Sequence, residues 1–324
     1  MAKAPLATAV SRAGGIGFLA AGLDASTISS SLSQAKKLLD HQDQDASSSP
    51  LPVGVGFVLW GSDIASAAEV IRKFVPAAVW LFSPRKVADL VTWTEKVREA
   101  SDGKTQVWVQ LGSVAAAVEA AGLCKPDVIV VQGADAGGHG LARGAGVISL
   151  VPEVADALAR EGHGHIPLLA AGGISDGRCV AAALTLGASG AVLGTRFLAA
   201  KEAELKPEHA EEVLRTADGG VSTVRTTVFD AVRGTTGWPA DYDGRGVANR
   251  SVDDAEKGMG VEENKRLYQE AVAKGDGERG KQGRMITYVG TGVGLVREIQ
   301  SAADIVEGLR RDAMAILEQT RAKF

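Results

Sequence analysis

A glycine-rich segment that ends in a histidine is the clearest candidate for chemistry in this sequence, residues 132–139 (QGADAGGH). It follows an apolar, β-branched run at residues 127–131 (DVIVV), which predicts a buried strand. Glycines let backbone N–H groups approach a flat or anionic ligand closely. An imidazole beside them can move a proton near neutral pH. The segment therefore predicts a ligand site with His139 as its acid–base group, although a tight turn with a surface histidine has the same composition.

Two further glycine turns follow the next two predicted strands. The first contains Gly172 and Gly173, and the second is residues 193–196 (LGTR). Loops after the last two strands of a parallel barrel often bind a phosphate group. The hydroxyl of Thr195 suits such a site, whereas Arg196 either adds charge there or forms a salt bridge inside the rim. No GxxxxGK motif occurs, which disfavours a nucleoside triphosphate, so one phosphate beside a flat, glycine-lined pocket predicts FMN.

The elements that must position these loops repeat in a regular order of short apolar strand, turn and amphipathic helix. Seven strands are predicted, at residues 15–21, 53–60, 77–82, 106–111, 128–132, 166–171 and 191–197. Helices are predicted between them, at residues 31–42, 63–74, 84–100, 114–121, 149–160 and 176–186. Alternation of strands with helices indicates a parallel sheet, and strands that are apolar on both sides indicate helices on both faces or a closed barrel.

The strand count predicts an α/β fold of the (β/α)₈ TIM-barrel type that lacks its first strand. A helix-like stretch, residues 5–12, precedes the seven strands, so the eighth strand would lie upstream of Met1. The resulting gap is expected between the strands at 15–21 and 191–197. A doubly wound open sheet is the competing architecture, but no GxGxxG turn with the required spacing follows the first strand.

The alternation of strands and helices ends at residue 201. Residues 201–280 are polar and irregular but include Trp238 and Tyr242, which a free linker would not contain, so they predict a cap. A long amphipathic helix is predicted at residues 301–323. The predicted division is therefore a barrel made of residues 1–200 and 281–324, with a cap at 201–280.

The composition narrows the class of protein. Among 324 residues, 45% are hydrophobic and 40 are glycines, an excess that indicates many tight turns and ligand loops. The net charge is −4 and no basic stripe occurs, which argues against nucleic acid. No apolar run reaches the roughly 18 residues of a membrane span, and the two cysteines are far apart, so a cytoplasmic protein without membrane partners is predicted. Nothing predicts an oligomeric state.

The order of these motifs resembles that of the nitronate monooxygenase family, whose members are FMN-dependent TIM barrels. More distantly, the chain is similar to FMN-containing enoyl-ACP reductases of the same fold. The resemblance covers nearly the whole chain and is carried by these segments: residues 9–19 (AVSRAGGIGFL), 132–139, 168–177 (LLAAGGISDG), 191–197 (AVLGTRF), 226–230 (TTVFD), 238–245 (WPADYDGR) and 290–296 (GTGVGLV).

The resemblance implies roles for individual residues. It implies that His139 is the active-site base or hydrogen-bond donor, and that Gln132 and Gly137 contact the flavin. The ribityl phosphate would be held by Gly172, Gly173, Leu193, Gly194 and Thr195. It further implies a small-molecule substrate, an alkyl nitronate derived from a nitroalkane, with O₂ as the oxidant.

The sequence departs from the family in two places. Family members usually have a first strand that ends in Ala-Pro-Met, and Met1 aligns with that methionine, so this strand is expected to be absent. Many bacterial members place an asparagine at the flavin after the second family strand, where this chain has Gly56. Two other functions are therefore kept: an FMN-dependent ene-reductase that uses NAD(P)H on an acyl or secondary-metabolite substrate, and a flavin-free barrel with a binding role.

Overall fold

The computed structural model of the chain describes residues 2–22, 28–39, 49–275 and 279–323. Seven parallel strands form one curled sheet in the order β1-β2-β3-β4-β5-β7-β8. Their bounds are β1 Phe18–Ala20, β2 Leu51–Val58, β3 Pro76–Phe82, β4 Gln106–Leu111, β5 Val128–Gln132, β7 Leu168–Ala171 and β8 Gly190–Val192. Among the described residues, β1 and β8 share no ladder. The predicted barrel with a gap at this place is confirmed; Met1 lies outside the described residues.

The strands form a sheet because their side chains alternate between two apolar layers. In β4, Val107 and Val109 pack in the layer under the helices. Trp108 points the other way and packs in the barrel interior against Phe18 and Trp80. Burial on both sides is what covered parallel strands require, and it explains their nearly continuous apolar sequences.

The outer layer consists of helices that connect the strands. They are α1 Ala4–Arg12, α2 Ile28–Leu39, α3 Ile64–Phe74, α4 Asp89–Ser101, α5 Val114–Cys124, α6 Val147–Arg160 and α7 Gly177–Thr185. Several begin at a side chain that caps the free backbone N–H groups: Asp63 caps α3, Ser113 caps α5 and Asp176 caps α7. The helix predicted at 31–42 starts earlier, and residues 40–42 lie outside the described residues.

The first and last strands are shorter than predicted. Residues 15–17 precede β1, and β8 ends at Val192, after which the chain turns into a short helix, α8 (Thr195–Leu198). The apolar sequence pattern extends beyond the observed ends of both strands, but only the residues that pair with a neighbouring strand form part of the sheet. Each of these two strands has one neighbour in the curled sheet, which limits its length.

The cap is built around a second sheet of three antiparallel strands, β6 (Gly138–Leu141), β10 (Tyr242–Val247) and β9 (Thr223–Thr226), in that order. Its helices are α9 Pro207–Arg215, α10 Gly219–Ser222, α11 Val228–Arg233, α12 Arg250–Glu256 and α13 Val261–Lys274. Residues 138–141 were expected to belong to a loop, and this prediction is wrong. They form strand β6 because they pair with β10, which lies more than a hundred residues later in the chain. The boundaries of the cap as a separate domain stay a prediction.

The C-terminal helix α14 (Ala302–Arg321) returns to the barrel, where it packs against α7 and α1. It begins at Ser301, whose hydroxyl oxygen accepts the N–H of Asp304. Arg310 on this helix donates hydrogen bonds to the backbone oxygens of Ala13 and Gly14, after α1. No helix in the part of the chain that the structure describes combines the length and the apolar character needed to cross a bilayer.

Candidate active site

The cap sheet places His139 over the strand ends of the barrel. Strand β5 ends at Gln132, and the chain runs through the glycine-rich turn directly into β6. In β6, His139 lies opposite Gly244 of β10. A side chain at Gly244 would meet both His139 and Tyr288, so this glycine allows the two rings to approach each other. The histidine is therefore positioned by strand pairing and not by a free loop.

The imidazole of His139 is held by a buried carboxylate. Its Nε2 lies 3.0 Å from Oδ1 and 2.9 Å from Oδ2 of Asp230, on α11. The side chains of His139 and Asp230 are 12% and 8% exposed. The hydroxyl of Thr235 donates to Oδ1 of Asp230 at 2.7 Å. This arrangement fixes one edge of the ring against the cap.

Trp238 covers one face of the imidazole. The two rings are parallel within 6°, with their centroids 3.7 Å apart. Trp238 also contacts Trp60 and Phe82, which lie at the carboxyl ends of β2 and β3, with centroid distances of 5.3 and 6.0 Å. Tyr242 of the cap completes this group. The aromatic contacts join the cap to the barrel at the same edge as the glycine turns.

Tyr288 lies on another side of His139, with ring centroids 5.5 Å apart. Nη1 of Arg233 donates to the Tyr288 hydroxyl oxygen at 3.5 Å. Burial raises the pKa of the Tyr288 hydroxyl, and the negative charge of Asp230 raises it further, against the opposing effect of Arg233. The hydroxyl is therefore protonated at neutral pH and can donate a hydrogen bond.

Two cap arginines hold the glycine-rich turn. Arg225 of β9 donates to the backbone oxygens of Ala134 and Ala136 at 3.4 and 3.3 Å. Arg245 of β10 donates to the same Ala134 oxygen at 3.2 Å. Nε of Arg225 also pairs with Oδ1 of Asp243 at 2.7 Å, and both side chains of this pair are nearly buried. The conformation of the turn thus depends on the cap.

A cavity of about 1030 Å³ lies at the gap and the adjoining strand ends. Its wall includes the barrel aromatics Phe18, Trp80 and Trp108, together with Tyr288. The glycine-rich turns at residues 132–139 and 193–196 contribute Gly137, Gly138, Leu193, Gly194 and Thr195 to the wall. His139 does not line this cavity, but it follows Gly138 and lies beside Tyr288, which do. The wall is mostly apolar.

Three other predicted flavin-contacting residues, Gln132, Gly172 and Gly173, do not line this cavity. The side-chain amide of Gln132 donates to the backbone oxygen of His139 at 3.0 Å. Gly172 and Gly173 have φ angles of +104° and +74°, and a Cβ on either would press on residues 133–136. A Cβ on Gly137 would overlap the backbone of Val289 and Gly290. These glycines are therefore required by contacts within the chain, and their predicted flavin roles stay predictions.

A third loop packs against the glycine-rich turns. Residues 290–292 lie against the Gly172–Gly173 turn, where Thr291 donates to Oδ1 of Asp135 at 2.9 Å. The N–H of Gly290 donates to the Thr195 hydroxyl oxygen at 2.9 Å. Thr195 lines the cavity, and its hydroxyl proton has no acceptor among the described residues. Among the described residues, no group of three or more His, Cys, Asp or Glu side chains is arranged to hold a metal ion.

Asp230, Trp238 and Arg225 were not assigned a site role from the sequence. Asp230 could have been recognised as a candidate, because it lies between Phe229 and Val232 in a short helix, and both of these apolar residues are buried. An acid buried among apolar neighbours requires a polar partner, and the basic residue at helical spacing, Arg233, donates to the Tyr288 hydroxyl. The sequence does not indicate which of the distant residues is that partner.

Comparison with known proteins gives a consistent result. Residues 87–312 match the sequence model of the family "Nitronate monooxygenase". The chain is 49% identical over 317 residues to "Nitronate monooxygenase npaC" of Metarhizium robertsii, covering 96% of this chain and 88% of that protein. It is 38% identical over 343 residues to "Nitronate monooxygenase" of Neurospora crassa, covering 99% of this chain and 89% of that one.

Solved structures agree on the fold. FabK from Thermotoga maritima superposes with a TM-score of 0.74 at 24% identity, over 99% of this chain and 92% of FabK. Nitroalkane oxidase from Streptomyces ansochromogenes superposes with a TM-score of 0.75 at 23% identity, over 98% and 94% of the two chains. With the family match and the near full-length relatives, the predicted resemblance is confirmed: the chain is an oxidoreductase that belongs to the nitronate monooxygenase family.

Proposed function

We propose that this protein binds FMN and oxidises alkyl nitronates, the anions of nitroalkanes, with O₂. The observation that carries the proposal is the pairing of His139 with Asp230 beside an apolar cavity at the strand ends. Two relatives named nitronate monooxygenase, 49% and 38% identical over nearly the whole chain, support it. Active sites of (β/α)₈ barrels lie at this edge, where the loops after the strands meet.

The cavity fits FMN in size and chemistry. Ligand pockets for such molecules usually measure about 300–1,000 Å³ and are mostly apolar. Gly194 has open space where a Cβ would be, and Thr195 beside it has a hydroxyl proton to donate to a phosphate oxygen. Trp80 and Trp108 supply flat apolar surface. When bound, FMN would supply the redox chemistry by accepting electrons from the nitronate and passing them to O₂.

The residues of the chain then act on the substrate. With neutral nitroalkanes, His139 would remove the proton from the carbon next to the nitro group. Tyr288 lines the cavity and has a protonated hydroxyl, so it would donate a hydrogen bond to an oxygen of the nitronate. The positive charge of Arg233 behind that hydroxyl would favour an anion. Trp238 would restrict access of water to the imidazole.

Cofactor and oxidant are tested together on the purified protein. Titration with FMN is expected to shift the flavin absorbance band and to saturate near one equivalent. An oxygen electrode should then show O₂ consumption with propyl-2-nitronate in the absence of NAD(P)H. Binding of FAD without binding of FMN contradicts the cofactor assignment. If turnover instead requires NAD(P)H and an unsaturated acyl substrate, the result supports the ene-reductase.

The phosphate position predicts a selective effect of Gly194→Ala. The new methyl group meets no atom within 4 Å and φ at this residue is −103°, so the apoprotein should unfold at an unchanged temperature. The methyl group would occupy space next to the phosphate, and we expect the Kd for FMN to rise about tenfold or more. Fluorescence titration of both proteins measures this rise.

Gly260→Ala is the matched control, because a Cβ at this cap residue also has no neighbour within 4 Å. It should change neither the unfolding temperature nor the Kd for FMN. If Gly194→Ala binds FMN as tightly as the control does, the phosphate does not lie at this turn.

A further inference from the structure

We infer that Asp230 is a positioning residue that keeps the ring proton of His139 on Nε2, so that Nδ1 is the atom that accepts the substrate proton. This inference rests on the proposed function for its kinetic consequence, but the position of the ring proton can be measured without substrate. It assigns a role to a residue of the cap, 91 positions after the histidine in the chain.

The hydrogen bonds define the direction of donation. Both carboxylate oxygens of Asp230 lie within 3.0 Å of Nε2 of His139. An ionised carboxylate only accepts hydrogen bonds, so Nε2 must donate. A neutral imidazole has one N–H group, and the lone pair is then on Nδ1. In the part of the chain that the structure describes, the side-chain hydrogen bonds of His139 are made by Nε2, which leaves Nδ1 for a substrate.

The carboxylate is itself fixed in place. The Thr235 hydroxyl donates to Oδ1 of Asp230 at 2.7 Å, and the Thr235 N–H donates to the Asp230 backbone oxygen at 3.0 Å. Asp230 lies in the first turn of α11, so its backbone is fixed as well. Oδ1 therefore accepts from Thr235 as well as facing the imidazole, whereas Oδ2 faces the imidazole at the shorter distance.

The ring has little freedom to turn away. Trp238 stacks on one face with centroids 3.7 Å apart. Gly244 lies opposite in the sheet, and an added Cβ there would be only 3.5 Å from Nε2. A ring held by stacking, strand pairing and the carboxylate presents the same atom in every turnover. After proton transfer, both ring nitrogens carry hydrogen, and the nearby negative charge of Asp230 stabilises the resulting cation.

Asp230→Asn separates this role from a structural one. Thr235 still donates to the amide oxygen, which turns the amide N–H₂ group towards Nε2. The amide then donates to Nε2, and the ring proton must move to Nδ1. The shape of the side chain is nearly unchanged, whereas the lone pair now faces the wrong way.

The measurement is ¹⁵N NMR of histidine-labelled protein, because protonated and unprotonated ring nitrogens have well-separated shifts; His139→Gln identifies the signals. In the wild type, Nε2 is expected to carry the proton, and in Asp230→Asn, Nδ1. With FMN bound, Asp230→Asn should lower turnover of neutral nitroalkanes by about 10²–10⁴-fold, and turnover of pre-formed nitronates by less than about tenfold. Asp156→Asn, on the exposed face of α6, should change neither.

Several results overturn the inference. One is a wild-type ring with its proton on Nδ1, which also decides the matter if Asp230→Asn fails to fold. Another is an Asp230→Asn protein that folds and binds FMN but loses both activities equally, because that is a structural effect. A third is turnover of neutral nitroalkanes that is unchanged in Asp230→Asn. If the wild type binds FMN but oxidises no nitronate, the proposed function fails, while the NMR result still tests the role of Asp230.

Discussion

Replacing His139 with alanine is expected to lower turnover of neutral nitroalkanes by at least about 10²-fold while FMN remains bound. In the proposed mechanism the imidazole is the acid–base group, and its removal leaves the cavity wall at Gly194 and Thr195 intact. Pre-formed nitronates already lack the proton that His139 would remove, so their turnover should fall much less. Steady-state kinetics with both forms of one nitroalkane measures the two effects.

His165→Ala is the matched control, because His165 is an exposed residue between α6 and β7, before the amino end of that strand. It should leave both rates unchanged. An equally large loss on both substrate forms in His139→Ala would mean that the imidazole stabilises the anion and is not a base. No loss on either form would remove His139 from the mechanism and favour the ene-reductase or the binding role.

Arg225→Met is expected to destabilise the protein by about 3–5 kcal/mol. Nε of Arg225 pairs with Asp243 at 2.7 Å, and the two side chains are 9% and 10% exposed. Removing the guanidinium leaves a buried carboxylate without its partner and removes one hydrogen bond each from the backbone oxygens of Ala134 and Ala136. Denaturant unfolding monitored by circular dichroism measures the loss.

Arg266→Met provides the contrast, because this arginine forms ion pairs with Glu263 and Glu270 on the exposed face of α13. Pairs in water are screened and contribute little, so its unfolding midpoint should stay close to that of the wild type. The double variant Arg225→Met, Asp243→Asn should recover part of the stability, since the unpaired charge is gone. A single Arg225 variant as stable as Arg266→Met would show that the turn does not depend on this ion pair.

The barrel could be predicted from the sequence because its signal is local. The strands Gln106–Leu111 and Val128–Gln132 were predicted with the bounds that the structure has, since each is an uninterrupted apolar run between turns. The missing pairing between β1 and β8 followed from counting strands.

The cap sheet could not be predicted in the same way. Strand β6 consists of Gly138, His139, Gly140 and Leu141, a sequence with little intrinsic strand preference. It forms a strand because β10 pairs with it, and a single sequence contains no signal for that long-range contact. The contact between His139 and Asp230 was missed for the same reason: motif spacing identifies each residue but not their proximity.

The glycines illustrate a second limit. Sequence reasoning assigned Gly137, Gly172 and Gly173 to the flavin, since glycine-rich turns approach ligands. In the structure, a side chain at Gly137 or Gly172 would press on neighbouring backbone, and one at Gly173 would press on the side chain of Asp135. The sequence does not distinguish a glycine required by internal packing from one required by a ligand. The structure does at Gly194, which lines the cavity and has open space where a Cβ would be.

The central proposal, oxidation of nitronates by bound FMN, is tested most directly by mixing the FMN-loaded protein with propyl-2-nitronate in the absence of O₂ and of NAD(P)H. We expect the flavin absorbance to bleach within the mixing experiment and to return when O₂ is admitted. Flavin that stays oxidised with the nitronate but bleaches on addition of NADH or NADPH would contradict the proposal.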